Sequence, residues 1–268
     1  MSTATTGAAN GAAVETSTVP DVEATFLPAG DLVPRESIRS VTPGMGSSSR
    51  WKDLLPRAIS AAVLAPIALA CVWFGGLAFT LLIDAATILL AIEWIRLSRP
   101  AGASWLMATG TLWIVLAAAA LLWLRADPTT GRANLLFLLL LIWASDIGAY
   151  LVGRLIGGPR LAPLISPGKT WSGAAGGIAA ALAVGWGAVW TTTGTLAWAT
   201  VISLIFCVIG QLGDLAESWA KRRFGVKDSG TIIPGHGGLL DRLDALLAVA
   251  PFAALLALCL GRGVLLWE

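Results

Sequence analysis

The chain has 268 residues, of which 56% are hydrophobic and 13% charged, with a net charge of +2 and a mean hydropathy of +0.78. A soluble domain carries about 25% charged residues, so this chain has too little polar side chain to coat a soluble globule. An integral membrane protein is expected, and the small net charge gives no basis for a nucleic-acid partner.

Residues 1–49 stand apart. They are rich in Ala, Thr, Ser, Gly and Pro, carry scattered acids and have no apolar periodicity. Such a segment buries too little surface to offset its ordering entropy, so a disordered tail is expected. It has no basic region followed by an apolar run, so it does not read as a signal peptide. Residues 50–268 form the membrane part and carry the chemistry.

A span needs about 20 largely apolar residues. Seven segments qualify: 58–74, 77–95, 105–124, 134–152, 173–190, 196–215 and 239–260, with six to nine as the admissible range. A Gly75-Gly76 turn separates the first two. The expected fold is all-α, a polytopic bundle of about seven transmembrane helices. Cys71, Cys207 and Cys259 all lie inside apolar runs without metal-ligand spacing and read as packing residues. Small-residue faces such as Gly173 to Gly177 permit close packing within a chain or in a homodimer.

The basic residues set the orientation. With the N-terminus in the cytoplasm, Arg50, Lys52, Arg57, Arg96, Arg99, Arg154, Arg160, Lys169, Lys221, Arg222, Arg223, Lys227 and Arg242 fall on the cytoplasmic side. Only Arg125, Arg132 and Arg262 fall opposite, which is the asymmetry of the positive-inside rule. Polar loops around 154–172 and 221–242 then face the cytoplasm of a bacterial-type inner membrane.

Acids within spans are expensive and mark function. Asp84, Glu93, Asp146, Asp214 and Glu217 are of this kind. Asp214, Glu217 and Ser218 share one helix face at i, i+3 and i+4, and Asp241 and Asp244 repeat the i, i+3 spacing at the start of the last span. Two helices with paired carboxylates at one membrane boundary can converge on a divalent cation, and hard oxygen ligands favour Mg2+ over Zn2+. The bland alternative is ion pairing with Lys221, Arg222 and Arg242.

Two loops add cations. Ser166-Pro167-Gly168-Lys169-Thr170 resembles the tail of a P-loop, but the preceding strand and first glycine are missing, so an NTPase fold is rejected. A lysine, two hydroxyls and free N–H groups before a helix still suit a phosphate, and a plain helix cap is the alternative. The stretch 221–227 is a cationic cluster at the membrane surface, which topology signalling or anionic lipid also explains. Gly235-His236-Gly237-Gly238 brings flexible backbone and the chain's only histidine next to these charges. Carboxylates and cations on one side describe a polyphosphate site, with the bilayer supplying a lipid co-substrate.

The charged stretch 218–244 resembles the signature of the phosphatidate cytidylyltransferase (CDP-diacylglycerol synthase) family. The resemblance is carried by Ser218, Lys221-Arg222, Lys227-Asp228, Gly230, Pro234, His236-Gly237-Gly238, Asp241-Arg242 and Asp244. The Ser166 to Thr170 and Gln211 to Ser218 stretches are also similar to the family. Ala220 replaces a larger aliphatic, and Ser172 stands where Glu or Gln is expected. The resemblance covers about residues 50–268.

It implies that CTP and phosphatidate yield CDP-diacylglycerol and pyrophosphate, with Mg2+ as cofactor. Asp214, Asp241 and Asp244, with Glu217, are then the metal ligands. His236 and Lys221 join the three aspartates as catalytic residues. Ser166, Lys169, Thr170, Ser218, Arg222, Lys227, Asp228, Gly237, Gly238, Arg242 and Asp146 line the substrate site. A transporter and a lipid phosphotransferase such as a polyprenol kinase are the rival readings. The Asp-Gly-x-x-Ala-Arg hallmark of CDP-alcohol phosphatidyltransferases is absent.

Overall fold

The computed structural model describes residues 63–99, 102, 104–226, 228–230 and 237–268. The expected tail at 1–49, Lys227 and His236 lie outside the described residues. Seven helices occur among those described: α1 (Val63–Phe74), α2 (Gly76–Ser98), α3 (Ser104–Arg125), α4 (Gly131–Ile156), α5 (Trp171–Val189), α6 (Leu196–Arg223) and α7 (Leu240–Leu260). A two-stranded antiparallel hairpin, β1 (Arg160–Ala162) and β2 (Ser166–Thr170), sits between α4 and α5.

Helices α2 to α7 are each long and apolar enough to cross a bilayer. The shortest, α5, has 19 residues, or about 28 Å at 1.5 Å per residue, close to a hydrocarbon core of about 30 Å. The described part of α1 is shorter. The spans leave Leu81, Leu112 and Leu140 exposed, as helices that are apolar all round do when lipid is their solvent. The chain is an integral membrane protein.

One end of the bundle is held by backbone carbonyls and turns. Gly75 (φ +67°) and Gly76 (φ +59°) make the α1–α2 turn in a region that side chains disfavour. The last carbonyls of α1 are capped from α3, where Arg125 Nε donates to Val72 O at 2.7 Å and Nη2 to Trp73 O at 3.1 Å. Asp127 closes the α3–α4 turn by accepting from the backbone of Thr130 and Thr129 and the hydroxyl of Thr129, while its other oxygen accepts from Gly263 N. These donors, the Thr130 N–H foremost, hold its carboxyl well below the usual carboxylate range. Arg132 stacks over Trp73 at this same end.

Helix α7 contains Pro251, which cannot donate to the carbonyl of Leu247. That carbonyl accepts instead from Trp113 Nε1 of α3 at 3.0 Å. A freed backbone acceptor in a span is thereby satisfied from a neighbouring helix.

The opposite end holds the polar elements, and its geometry depends on α4 and α5 approaching closely. A Cβ added at Gly148 would lie 2.6 Å from Gly176 O, and one at Gly176 would lie 2.4 Å from Val152 Cβ. The Gly173 to Gly177 stripe is therefore spent on packing within the chain. Gly148→Val is expected to force α4 off α5 at a cost of about 1–3 kcal/mol or more, read as a lower thermal midpoint in detergent. An unchanged midpoint would show that the helices part without penalty.

The 154–172 loop is more ordered than its composition suggests. Ser166–Thr170 is itself a strand, and Thr170 caps α5 by accepting from Gly173 N at 3.1 Å. Ser172 donates its hydroxyl to Gly157 O, closing the turn after α4. Helix α6 runs two turns beyond Leu215, so Lys221, Arg222 and Arg223 stand on its last turn and not in a loop. Its apolar pattern ends near Leu215, but nothing in Gly213 to Arg223 breaks a helix.

Candidate active site

The site is built where α6 meets α7. Gly213 permits the approach, since a Cβ there would lie 2.3 Å from Ala248 Cβ and 3.2 Å from Asp244 O. On α6, Asp214 and Glu217 fall on one face, one turn apart. The crossing brings them to Asp244 of α7, and carboxylate oxygens of the three residues lie within 4.8 Å of one another.

Two lysines enter the group from different elements. Lys169, on β2, reaches across to Asp214 Oδ2 at 2.5 Å. Lys221, one turn beyond Glu217, lies 2.9 Å from Glu217 Oε2 and 2.6 Å from Asp241 Oδ1. Ser218 Oγ is 3.5 Å from Asp214 Oδ1. Four carboxyl groups of the described residues thus gather around two ammonium groups.

Asp241 and Asp244 part company despite their i, i+3 spacing. Asp241 Oδ1 takes Lys221, and its Oδ2 accepts from Ser229 N at 3.2 Å and Gly238 N at 3.1 Å. It organises the polypeptide between α6 and α7, with Gly237 in the left-handed region at φ +83°. Asp244 is the α7 acid that joins Asp214 and Glu217.

The donor set fits a hard divalent cation. Glu217 is 9% exposed, and its Oε1 is buried without a hydrogen-bond partner. A buried carboxylate oxygen left unsatisfied is costly. Here it belongs to a residue grouped with two further carboxylates, all oxygen donors of the kind Mg2+ takes. Asp214, Glu217 and Asp244 are the residues that could hold such an ion.

Beside this group lies a polar crevice of about 490 Å³, lined by Asp146, Tyr150, Lys169, Thr170, Gln211 and Asp214, among others. Arg154 is also on its wall and donates to Tyr150 Oη at 2.8 Å. Gln211 Nε2 bonds back to Ala174 O at 3.3 Å, fixing the crevice floor to α5. Arg222 donates to Ile165 O at 3.2 Å and pins the hairpin turn to the end of α6. A second cavity of about 520 Å³ lies among α1, α2, α3, α4 and α7. Among the described residues, Arg242 is the single charged one in its otherwise almost wholly apolar lining.

A carboxylate cluster at a membrane edge, flanked by lysines, serves several chemistries, and similarity to other proteins narrows them. A profile described as the cytidylyltransferase family matches residues 102–260. A phosphatidate cytidylyltransferase of Brucella suis biovar 1 (strain 1330) is 38% identical over 245 residues, covering 74% of this chain and 91% of the relative. Proteins of the same name from Haemophilus influenzae and Staphylococcus saprophyticus are 45% identical over 132 residues and 44% identical over 137 residues. These alignments cover 47% and 50% of this chain, and 46% and 53% of the relatives. The chain belongs to the cytidylyltransferase family. It is a nucleotidyltransferase enzyme.

In this cytidylyltransferase the sequence-derived site residues fall into separate groups. Asp214, Glu217, Asp244, Lys169, Lys221, Asp241 and Ser218 form one connected set. Asp146 and Thr170 line the adjoining crevice, where Thr170 serves as the α5 cap. Ser166 and Arg222 lie at the hairpin, Asp228 is exposed, and Gly237 and Gly238 lie against Asp241. Arg242 faces the second cavity. Glu93, Tyr150 and Arg154 are neighbours that sequence reasoning did not assign to the site, and Gln211 entered it only as the start of the Gln211 to Ser218 stretch. For Glu93 the signal was present, since it is an acid near the end of a span.

Proposed function

We propose that this enzyme transfers the cytidylyl group of CTP to phosphatidate, giving CDP-diacylglycerol and pyrophosphate for phospholipid synthesis. The observation that carries the reading is the Asp214, Glu217 and Asp244 cluster, with its unsatisfied Glu217 oxygen, opening beside the lysine-lined crevice. The name borne by the Brucella relative supports the substrates.

An oxygen of the phosphatidate phosphate forms a bond to the α-phosphorus of CTP, and the bond from that phosphorus to the β-phosphate bridging oxygen breaks. Pyrophosphate leaves with the bonding electrons. The attacking oxygen is already ionised near pH 7, so no base is required, and catalysis rests on positioning and electrostatics. Asp214, Glu217 and Asp244 would hold Mg2+, which would supply positive charge against the phosphates. Lys169 lines the crevice and can exchange Asp214 for a phosphate oxygen. Lys221 keeps Glu217 and Asp241 in place. Arg242 meets the lipid phosphate while the acyl chains enter the apolar cavity it lines.

The end of the bundle carrying the site also gathers Arg96, Arg154, Arg160, Lys169, Lys221, Arg222, Arg223 and Arg242. On the positive-inside rule this end faces the cytoplasm, across the inner membrane of a bacterial cell. The test is pyrophosphate release by the purified protein in detergent with phosphatidate and CTP, with and without Mg2+. Release that needs all three is expected. CTP-dependent formation of CDP with a polyprenol, and no pyrophosphate, would establish a lipid kinase instead.

A further inference from the structure

Glu93 is a buried acid, 2% exposed, on the second helix of a membrane bundle. Neither of its oxygens faces a lysine or arginine among the described contacts. Both are spent on the chain that joins α6 to α7. Oε1 accepts from Ser229 Oγ at 3.0 Å, and Oε2 accepts from Leu240 N at 2.9 Å.

The second bond has a consequence for the reaction. Helix α7 begins at Leu240, and the preceding residue, Leu239, has no side chain able to cap it. The first N–H groups of a helix need an acceptor, and an anion there also meets the positive end of the helix dipole. Glu93 supplies that acceptor from another helix. Two glycines make room for it: a Cβ at Gly230 would lie 2.4 Å from Glu93 Oε1, and one at Gly238 would lie 2.0 Å from the same atom. The chain on both sides of residues 231–236 is thus laid against one carboxylate. The same chain gives the N–H groups of Ser229 and Gly238 to Asp241.

From this geometry, and resting on the cytidylyl-transfer reading above, we infer that Glu93 is a positioning residue that fixes where α7 starts. It thereby keeps the first turns of α7 formed, and with them Asp241 toward Lys221 and Asp244 toward Asp214 and Glu217. Asp241 and Asp244 lie in the first two turns of α7, so fraying of those turns on loss of this acceptor would let both acids leave their partners. Glu93 acts through these residues and touches no substrate.

The test compares Glu93→Ala, Glu93→Asp and Glu93→Gln in the full-length protein. Glutamine can turn its carbonyl to Leu240 N and its amide to the Ser229 hydroxyl, which accepts, so both bonds survive without the charge. Aspartate is one methylene short of serving both. Glu93→Ala is expected to lose about 10- to 100-fold in turnover and to need more Mg2+ for half-maximal rate, as losses of outer partners of metal ligands do. Glu93→Asp falls between, and Glu93→Gln stays near wild type. Two readouts do not depend on turnover. Amide exchange across 228–245 rises in Glu93→Ala relative to α4 and α5, and the shift of its melting midpoint by Mg2+ alone shrinks.

Wild-type turnover and Mg2+ half-saturation in Glu93→Ala would overturn the inference. So would a loss of activity that follows a lowered midpoint with Mg2+ half-saturation unmoved, because a merely structural cap behaves that way. If Glu93→Ala does not fold, equal activity of Glu93→Asp and Glu93→Gln overturns it. If the wild type shows no CTP-dependent release, the cytidylyl-transfer reading fails separately. The Mg2+-induced melting shift then decides for Glu93, and an undiminished shift in the variant overturns the positioning role.

Discussion

Asp244→Asn is expected to cut turnover by roughly 1,000-fold, equivalent to about 4 kcal/mol of transition-state stabilisation, while leaving the fold intact. Asparagine keeps the volume and can still accept from Ala245 N, which Asp244 Oδ1 does at 2.8 Å. It also leaves the Lys221 pair with Asp241 untouched. What it removes is one of three carboxyl groups whose oxygens lie within 4.8 Å of one another. The loss should lessen as Mg2+ is raised, since a weakened cation site is refilled by mass action. Asp84→Asn is the matched control, because Asp84 is an exposed acid of α2 away from the cluster. Pyrophosphate release across a Mg2+ series reads both variants. Near-normal turnover of Asp244→Asn at low Mg2+ would remove Asp244 from the metal site.

The spans were legible because membrane helices declare themselves by length and by the absence of charge. The α6 face was legible too, because Asp214, Glu217 and Ser218 are close in sequence and helix geometry places them. Asp241 and Asp244 show the limit of the same rule. Residues at i and i+3 are offset by about 60° around a helix, enough for one to turn to Lys221 and the loop while the other joins the cluster. Spacing alone does not separate those outcomes. Lys169 reaches Asp214 only because β2 folds back along the end of α6, and a five-residue strand among turn-forming residues leaves little trace in sequence. Glu93 meets Ser229 and Leu240 across more than 130 residues, a distance over which periodicity says nothing. The start of the cationic stretch 221–227 was expected as loop because its composition is polar, yet α6 continues to Arg223 on good helix formers.

The larger structural loss is expected at Lys221. Its ammonium lies between Glu217 and Asp241, and the three side chains are only 11%, 8% and 15% exposed. Lys221→Met leaves two acids facing each other in a site poor in water, and removing one partner of a buried ion pair costs about 3–5 kcal/mol. A fall in both melting midpoint and turnover is therefore expected, and by itself does not separate support from catalysis. A second substitution does. Lys221→Met with Asp241→Asn removes the stranded charge, so much of the midpoint should return, the double-mutant cycle measuring the coupling. Turnover should not return with it, because neither neutral residue can steady Glu217 beside the phosphates or meet their charge. Lys221→Arg is expected to serve poorly as well, since a planar guanidinium does not fit a site shaped for a compact ammonium at 2.6 and 2.9 Å from two carboxylates. If turnover recovers in step with stability in the double variant, Lys221 is a structural counter-ion. The cations left to meet the phosphates are then Lys169, Arg242 and the metal.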